Sequence, residues 1–320
     1  MYTLKVEVNS VKEVFDVLPK RLVHWINSID EREIQKIEEI RIRHSQALEL
    51  DVNGRVMYLP GKGSQQGVRD EEMQYILNQL SNYSLYTLDE ELKRGYITIK
   101  GGHRVGLAGK VVTDQGRVKG IRAVSSFNIR IAKQTLGVAD RYVPRLIQAG
   151  KWKSTLLIGA PKTGKTTFLR DIARIISEGF PSERLPAKKV GIVDERSEIA
   201  GSLKGVPQHT FGPRVDVLDA CPKAEGMMMM IRSMSPDVLV VDEIGRKEDT
   251  EAIVEAMNAG VRVIASVHGD DWHDVRRRPA LEPLWEGNVF ERFVEFAPHS
   301  KPGTIAAIRR PRDVTQAVSK

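Results

Sequence analysis

The chain has 320 residues, of which 41% are hydrophobic and 28% charged, so it has the composition of a globular protein and the length for two domains. Its 49 basic and 42 acidic residues give a net charge of +7, which suits nucleic acid or an anionic membrane surface, but equally a solvated basic surface, since the two signs are interspersed. The single cysteine, Cys221, excludes an internal disulfide and a zinc site built from cysteines, which fits a reducing cytosol.

The sequence shows no candidate for insertion into a membrane. Met1 is followed by Tyr-Thr-Leu-Lys-Val-Glu-Val, which does not resemble a signal peptide. No uninterrupted apolar stretch approaches the ~20 residues that a spanning helix needs. Any role at a membrane is therefore expected to be peripheral.

The first part of the chain predicts a mixture of short helices and strands. Apolar residues recur at helical spacing over residues 11–26, with an interruption at Pro19. Residues 40–43 alternate between apolar and charged, as a half-buried strand does. Two short strands then flank Asn53-Gly54, and because both turn residues tolerate a positive φ, this pair predicts a hairpin.

A further helix is expected from about Asp70, followed by strands at residues 96–100 and, after a glycine pair, up to residues 127–132. No low-complexity linker and no internal repeat divides the chain. The change in pattern that follows predicts an N-terminal mixed α/β domain over residues 1–137 and a second domain over residues 138–320.

The second half has the pattern of an α/β domain with a mainly parallel sheet. Continuous Val, Ile and Leu runs alternate with helical segments, and such runs are typical of strands covered on both faces; they lie at residues 155–158, 190–193, 238–241 and 261–267. Past Pro279 the pattern alternates more strongly, at residues 290–296 and 304–309. These two segments are expected to be added edge strands.

A glycine-rich segment follows the first of these strands and precedes a helical pattern. It matches the Walker A pattern G-x-x-x-x-G-K-[ST] and consists of Gly159, Ala160, Pro161, Lys162, Thr163, Gly164, Lys165, Thr166 and Thr167. Backbone N–H groups of such a loop point at phosphates near the positive end of the helix. Lys165 would reach the β- and γ-phosphates, and the Thr166 hydroxyl would bind Mg²⁺. The alternative is a glycine turn before an ordinary helix.

The strand at residues 238–241 runs into two acids, which is the Walker B pattern. Asp242 is suited to hold the water shell of the Mg²⁺ ion, and Glu243 to polarise the attacking water. The alternative is a strand that ends in two solvated acids. Together with the glycine-rich loop, the pattern predicts a RecA-like P-loop NTPase domain.

Two other strands also end in polar residues, where an open parallel sheet binds its ligands. Residues 190–193 lead into a cluster with Asp194, Glu195 and Glu198, which could position water or a metal ion, although such a cluster alone is more often a charged loop. His268 follows residues 261–267 and could sense the γ-phosphate, although a lone histidine is usually structural.

Four consecutive methionines, residues 227–230, lie on a predicted helix. Methionine can form adaptable binding surfaces. Because four consecutive positions point all round a helix, a role in the core or at a subunit interface is favoured.

These four elements in this order resemble the secretion ATPase superfamily, which drives type II and type IV secretion and type IV pili. There, Walker A is followed by an acidic Asp box, Walker B and a His box. The Asp box here is Asp-Glu-Arg-Ser-Glu (residues 194–198) instead of the usual Glu-Asp-Pro-x-Glu, so which carboxylate acts stays open. Residues 91–109 and 125–132, with the motifs, more closely resemble the stage III sporulation AA family.

The resemblance implies an ATP-hydrolysing motor that uses ATP and Mg²⁺, with Glu243, Glu195, Glu198 and His268 at the site. It also implies a homohexameric ring whose N-terminal domains contribute an arginine, for which the candidates are Arg104, Arg122 and Arg130. The expected place is the mother-cell cytoplasm at the outer forespore membrane. The expected partner is an integral-membrane channel or secretion assembly, and no nucleic acid is expected.

Two alternatives remain open. A nucleic-acid-dependent motor is compatible with a RecA-like fold and the positive charge, but the sequence has no recognisable nucleic-acid module. An assembly scaffold that is gated by a nucleotide and hydrolyses it negligibly would not need the acid Glu243. The choice between ATP and GTP is also open, since no guanine-reading motif is evident.

Overall fold

The structure is a computed structural model, and it describes residues 5–8, 11–60, 67–81, 95–114, 116–298 and 300–315. The chain divides into two compact units. One spans Glu7–Gln134, and the other is built from Thr135–Lys320 together with Met1–Val6. The division falls within β1 (Lys5–Val8) and within β8 (Lys133–Leu136), two strands that pair with each other.

The first unit is an antiparallel sheet with short helices. Its helices are α1 (Lys12–Phe15), α2 (Lys20–Asn27), α3 (Glu31–Ile34) and α4 (Asp70–Leu80). Its strands are β2 (Ile37–Arg43), β3 (Leu48–Val52), β4 (Arg55–Leu59), β5 (Tyr96–Thr98), β6 (Arg104–Asp114) and β7 (Arg117–Arg130). The spatial order is β4-β3-β2-β7-β6-β5, and every neighbouring pair is antiparallel.

The local chemistry of this unit explains its elements. The β3–β4 hairpin turns at Asn53 and Gly54, with φ of +54° and +82°, and the Gly54 N–H donates to the Asp51 carboxylate at 2.7 Å. The predicted hairpin is therefore confirmed. Alternate residues such as Ile40 and Ile129 are fully buried, so one face of the sheet forms the core of this unit.

The second unit contains a two-stranded sheet of β9 (Ile147–Gln148) and β10 (Lys151–Trp152), and a seven-stranded sheet. The strands of the larger sheet are β11 (Thr155–Gly159), β12 (Val190–Asp194), β13 (Val215–Asp219), β14 (Val238–Val241), β15 (Arg262–His268), β16 (Arg292–Phe296) and β17 (Ile305–Arg309). Its helices are α5 (Val143–Leu146), α6 (Lys165–Glu178), α7 (Lys223–Met234), α8 (Lys247–Asn258), α9 (Trp272–Arg276), α10 (Glu282–Glu286) and α11 (Pro311–Thr315).

The order of the large sheet is β13-β12-β14-β15-β11-β16-β17. The first six strands run parallel, and β17 pairs antiparallel with β16. The expectation of a mainly parallel sheet agrees with this pairing. Strands β11, β12 and β14 are buried along their whole length, which accounts for their continuous apolar runs.

The expectation of an edge strand is confirmed for residues 304–309, which form β17, but it is wrong for residues 290–296. β16 is not an edge strand, since it is fully buried between β11 and β17. Its apparent alternation comes from two polar residues that are buried but satisfied: Arg292 donates to backbone carbonyls, and Glu295 pairs with Arg309 at 3.1 Å. The actual second edge, β13, was not predicted, because Asp216 and Asp219 interrupt its apolar run.

In the part of the chain that the structure describes, no helix combines the length and the apolar character that crossing a bilayer requires.

Candidate nucleotide site

The carboxyl ends of four adjacent parallel strands meet at one edge of the large sheet. In the order β12, β14, β15 and β11, their register pairs Val193 with Val241, Val241 with Ala265, and Gly159 with His268. Every polar motif predicted in the second half follows one of these strands. The sheet therefore collects them at the edge where parallel sheets bind ligands.

The glycine-rich loop joins β11 to α6. Its Gly164 has a φ of +98°, and a Cβ atom there would lie 2.6 Å from the Gly303 backbone nitrogen, so only glycine fits. The Gly303 N–H donates to the Thr163 carbonyl at 2.8 Å, and the Thr163 hydroxyl donates to the Ala160 carbonyl at 2.8 Å. The loop leads into α6, which has 14 residues, and the first N–H groups of this helix lie at its positive pole.

The side chains of the loop are exposed to different degrees. Pro161 and Lys162 are exposed, and Thr166 and Thr167 are half-buried at the start of α6. Lys165 is buried, and its ammonium group donates to the carbonyls of Gly159 at 2.6 Å and Ala160 at 2.9 Å. Burial lowers the pKa of Lys165.

Asp242, which follows β14, is 1% exposed, and its Oδ2 atom is buried without a hydrogen-bond partner. Burial and then the negative charge of Asp194 raise the pKa of Asp242 to about 7. A buried carboxylate oxygen without a partner is costly unless a cation or a donor approaches it. The position therefore fits a metal ion better than a structural role.

Glu243 lies in a left-handed turn, with a φ of +48°. The turn is supported by β15: the Glu243 N–H donates to the Ser266 hydroxyl at 2.9 Å, and the Ile244 N–H to the Ser266 carbonyl at 2.9 Å. Non-glycine residues rarely adopt this conformation, and it is concentrated at functional sites.

The Glu243 carboxylate is held by two side chains. Its Oε1 atom lies 2.7 Å from His268 Nε2, and its Oε2 atom accepts from Arg196 at 2.7 Å. His268 Nδ1 lies 3.2 Å from the Lys165 ammonium group. Since the ammonium group can only donate, this network assigns the imidazole proton to Nε2, where it faces Glu243. A chain of hydrogen bonds thus connects the glycine-rich loop to the Asp box.

The acids of the Asp box have different environments. Asp194 is fully buried, and its carboxylate accepts from the backbone N–H groups of Glu198 at 2.7 Å, Ile199 at 3.0 Å and Ala200 at 2.8 Å. Burial raises the pKa of Asp194, although these three bonds oppose the shift. Asp194 therefore shapes the turn of the box.

Glu195 forms an ion pair with Lys223, the first residue of α7, which is 8% exposed. Burial would raise the pKa of Glu195, but the hydrogen bond and charge of Lys223 outweigh it and hold the pKa below its usual value. The negative charge of Glu198 reaches Asp242 and contributes to raising its pKa. The negative charges that act on Asp242 are thus those of Asp194, Glu243 and Glu198, and the buried cation Lys223 opposes them.

Helix α6 also holds the Asp box directly. Arg170, 8% exposed, donates from Nε to the Ile199 carbonyl at 2.7 Å and from Nη2 to the Glu198 carbonyl at 2.9 Å. Arg170, Arg196 and Lys223 were not predicted. Only Arg196 had a signal, since it lies between the Asp-box acids, whereas the other two are brought in by the packing of helices.

The three N-terminal arginines lie in the other unit. Arg104 on β6 is paired in register with Arg130 on β7, and the Arg104 guanidinium stacks on the Tyr96 ring at 5.1 Å. Arg130 is exposed. Arg122 belongs to β7, but its side chain lies outside the described residues. Their part in the site stays a prediction.

The sequence and the fold were compared with known proteins. The model of the family described as "Sporulation stage III, protein AA" matches residues 9–315. Stage III sporulation protein AA of Bacillus subtilis strain 168 is 54% identical over 298 residues, which covers 93% of this chain and 94% of that protein. The chain belongs to the stage III sporulation protein AA family.

Solved structures of ATPases share the fold of this chain. The ATPase DotB of Yersinia pseudotuberculosis aligns with a TM-score of 0.59 at 17% identity, over 95% of this chain and 83% of that one. The pilus retraction motor PilT with bound ADP aligns with a TM-score of 0.58 at 14% identity, over 90% and 87%. At these identities the likeness is one of fold. The predicted resemblance to the sporulation family and to the secretion ATPase fold is thereby confirmed.

Proposed function

We propose that this protein is an ATP-hydrolysing motor that assembles or energises a membrane-associated secretion or channel complex during sporulation. The observation that carries the proposal is the meeting of the glycine-rich loop, Asp242, Glu243 and His268 at one sheet edge. Their order is that of a P-loop ATPase. Residues 138–320 would form its RecA-like domain, and residues 1–137 its N-terminal α/β domain.

The residues present fit a nucleotide and Mg²⁺. Backbone N–H groups of residues 159–167 and the Lys165 ammonium group would hold the phosphates. The Thr166 hydroxyl and the unpartnered Asp242 oxygen would hold Mg²⁺, which neutralises developing charge on the phosphates when it is bound. Glu243 would orient the attacking water and take its proton, with Glu195 and Glu198 as further acids at the site.

The hydrogen bonds of Lys165 support a link between nucleotide binding and Glu243. Lys165 donates to two carbonyls of its own loop and lies against His268, which in turn contacts Glu243. A γ-phosphate would compete for the ammonium group, because an anion is a stronger acceptor than a carbonyl. Binding would thereby release His268 and loosen one of the two contacts that hold Glu243.

The assembly and location follow from the superfamily resemblance. We propose a homohexamer with nucleotide between neighbours, in which Arg104, Arg122 or Arg130 completes the site and stabilises transition-state charge. The family of the chain is one of sporulation proteins, which supports a place in the mother-cell cytoplasm, peripheral to the outer forespore membrane. An integral-membrane channel or secretion assembly would be its partner.

Phosphate release from ATP tests the proposal. We expect release by the purified protein, its loss in Lys165→Ala, and a rise with ring formation measured by light scattering on the same samples. ATP bound tightly without release, even when the membrane partner is supplied, would contradict the motor and favour the nucleotide-gated scaffold. Release that requires DNA or RNA and disappears at high salt would favour the nucleic-acid motor. Competition by GTP would decide the base preference.

A further inference from the structure

Helices α7 and α8 pack side by side in the second unit and leave a groove of about 790 Å³ on their outer surface. The groove is lined from Ala224 to Ser233 on α7 and from Glu248 to Glu255 on α8. The α7 stretch is ten residues long, which corresponds to roughly 15 Å and to about three helical turns. No described residue of the candidate nucleotide site lines it.

The base of the groove is apolar and built largely from the methionine run. Met227 and Met230 face the core and are 0% and 1% exposed, whereas Met228 and Met229 line the groove, with Met229 53% exposed. Ala252 of α8 completes the apolar surface. The unbranched, polarisable methionine side chain adapts to varied apolar partners. Together with Ala224, these residues form a continuous apolar lining, and apolar patches rimmed by polar residues mark places where another surface packs.

The flanks of the groove are acidic. Glu225 on α7 and the three α8 residues Glu248, Glu251 and Glu255 are exposed lining residues, beside the one lining base, Arg232. Glu251 also pairs with Lys247 at 3.5 Å, so four carboxylates face two basic groups, and the surface keeps a negative charge on a chain whose net charge is +7. Such a patch attracts positively charged partners and repels acidic ones.

We propose that this groove docks an amphipathic helix of a partner protein, with apolar residues on one face and lysine or arginine along its flanks. The apolar base takes the apolar face of a helix of about three turns, as in other helix-in-groove complexes. The four glutamates select its basic flanks. A helix of this chain is a poorer occupant: the basic amphipathic helix α2 already buries Leu22, Trp25 and Ile26 in its own unit.

The two helices that form the groove both begin at the candidate nucleotide site. The first residue of α7, Lys223, pairs with Glu195, and α8 follows the turn that starts at Glu243. The Asp249 carboxylate in the first turn of α8 accepts from the N–H groups of Gly245 and Arg246, which fixes that turn to the helix. A helix seated between α7 and α8 therefore contacts the two elements that hold these acids. Docking itself does not depend on hydrolysis.

The test uses a synthetic 14-residue peptide of leucine and lysine at helical spacing, a matched leucine–glutamate peptide, and full-length protein with ¹³C-methyl methionine. The methyl signals of Met228 and Met229 are assigned with leucine substitutions. We expect saturable shifts of these two signals with the lysine peptide and none with the glutamate peptide. The double variant Glu251→Lys/Glu255→Lys should weaken lysine-peptide binding roughly tenfold or more and admit the glutamate peptide.

The control is Glu31→Lys, a single charge reversal at an exposed position of the other unit, which is compared with Glu255→Lys alone and should leave binding unchanged. Unperturbed Met227 and Met230 signals show that each variant is folded. Equal weakening by Glu31→Lys, or shifts confined to other methionines, would overturn the proposal. So would peptide-independent, concentration-dependent broadening of Met228 and Met229, which would assign the groove to a second copy of the chain. These measurements use no nucleotide, so their failure leaves the hydrolysis test untouched.

Discussion

The Nε2 atom of His268 lies 2.7 Å from Oε1 of Glu243, and its Nδ1 atom lies 3.2 Å from the Lys165 ammonium group. The same imidazole therefore contacts the residue proposed to bind phosphate and the residue proposed to activate water. Arg196 holds the other oxygen of Glu243 at 2.7 Å. The position of this carboxylate thus depends on three elements of the chain: β15, the turn after β14 and the Asp box.

Replacing Glu243 with glutamine tests its role as the base. Glutamine keeps the shape and one acceptor oxygen, which can still accept from either His268 or Arg196, but it cannot take a proton from water. We expect phosphate release to fall about 100-fold or more, with the dissociation constant of ATP changed little, in single-turnover and equilibrium-binding measurements. The exposed Glu286→Gln serves as the control. Unchanged turnover would remove Glu243 from the mechanism.

The raised pKa of Asp242 predicts how stability depends on pH. Its pKa is about 7 in the folded state against an ordinary value of 3.8, so between about pH 4 and 7 the folded state binds more protons than the unfolded state. This group therefore makes the free energy of unfolding fall as the pH rises through that window, by on the order of 4 kcal/mol in total.

Asp242→Asn removes this contribution. The stability of the variant relative to the native chain should therefore rise from pH 5 to pH 8, as measured by urea unfolding in a chelator without nucleotide. The exposed Asp270→Asn is the control and should show no such trend. If the stability difference between the variant and the native chain were independent of pH, Asp242 would ionise at its ordinary pKa. Mg²⁺ with nucleotide should reduce this stability difference, because it stabilises the charged form of Asp242 in the native chain.

The motifs of the candidate site could be predicted from the sequence because each is local. A strand, a glycine-rich turn and a helix lie within consecutive residues, and the all-buried strands leave continuous apolar runs. β13 and β16 could not be read in this way. Because Arg292 and Glu295 are polar, β16 has the alternating pattern of a half-exposed strand although it is buried. The groups that pair with these two side chains, such as Arg309, lie outside the strand itself.

The partners of the site acids could not be predicted because they depend on tertiary packing. Lys223 meets Glu195, and Arg196 meets Glu243, over separations of 28 and 47 residues. The sequence also did not indicate how the environments of the Asp-box acids differ. Only the fold shows that the Asp194 carboxylate accepts from three backbone N–H groups, whereas Glu195 forms an ion pair with a lysine.

Gly164→Ala tests the shape of the glycine-rich loop. A methyl group at this position meets the Gly303 nitrogen at 2.6 Å and has to adopt a φ of +98°, so we expect a loss of about 1–3 kcal/mol in stability. ATP affinity should fall as well, since the loop N–H groups turn away from the phosphates.

Gly260→Ala separates the steric contact from the backbone strain, because Gly260 has a φ of +79° but nothing within 4 Å of a Cβ atom. It should cost about 1 kcal/mol and leave ATP binding intact. Equal ATP binding by both variants would contradict the prediction.

Asp171 anchors the start of the second unit to helix α6. Its carboxylate is 1% exposed and accepts from the N–H groups of Gly137 at 3.1 Å and Ala139 at 2.9 Å, and from Arg174 at 2.8 Å. Asp171→Ala leaves these donors, one of them charged, without their acceptor. We therefore expect a loss of about 3–5 kcal/mol in urea unfolding at pH 7.

The neighbouring Asp140 provides a matched control for this prediction. It lies 3.5 Å from Arg174 at the edge of the same cluster, and its pKa is raised because burial and the charge of Asp171 outweigh the attraction of Arg174. Asp140→Ala should cost less than about 1 kcal/mol. Equal losses in the two variants would show that Arg174 is held by the pair of acids as a unit. A small loss in Asp171→Ala would mean that water replaces the carboxylate at the N–H groups of Gly137 and Ala139.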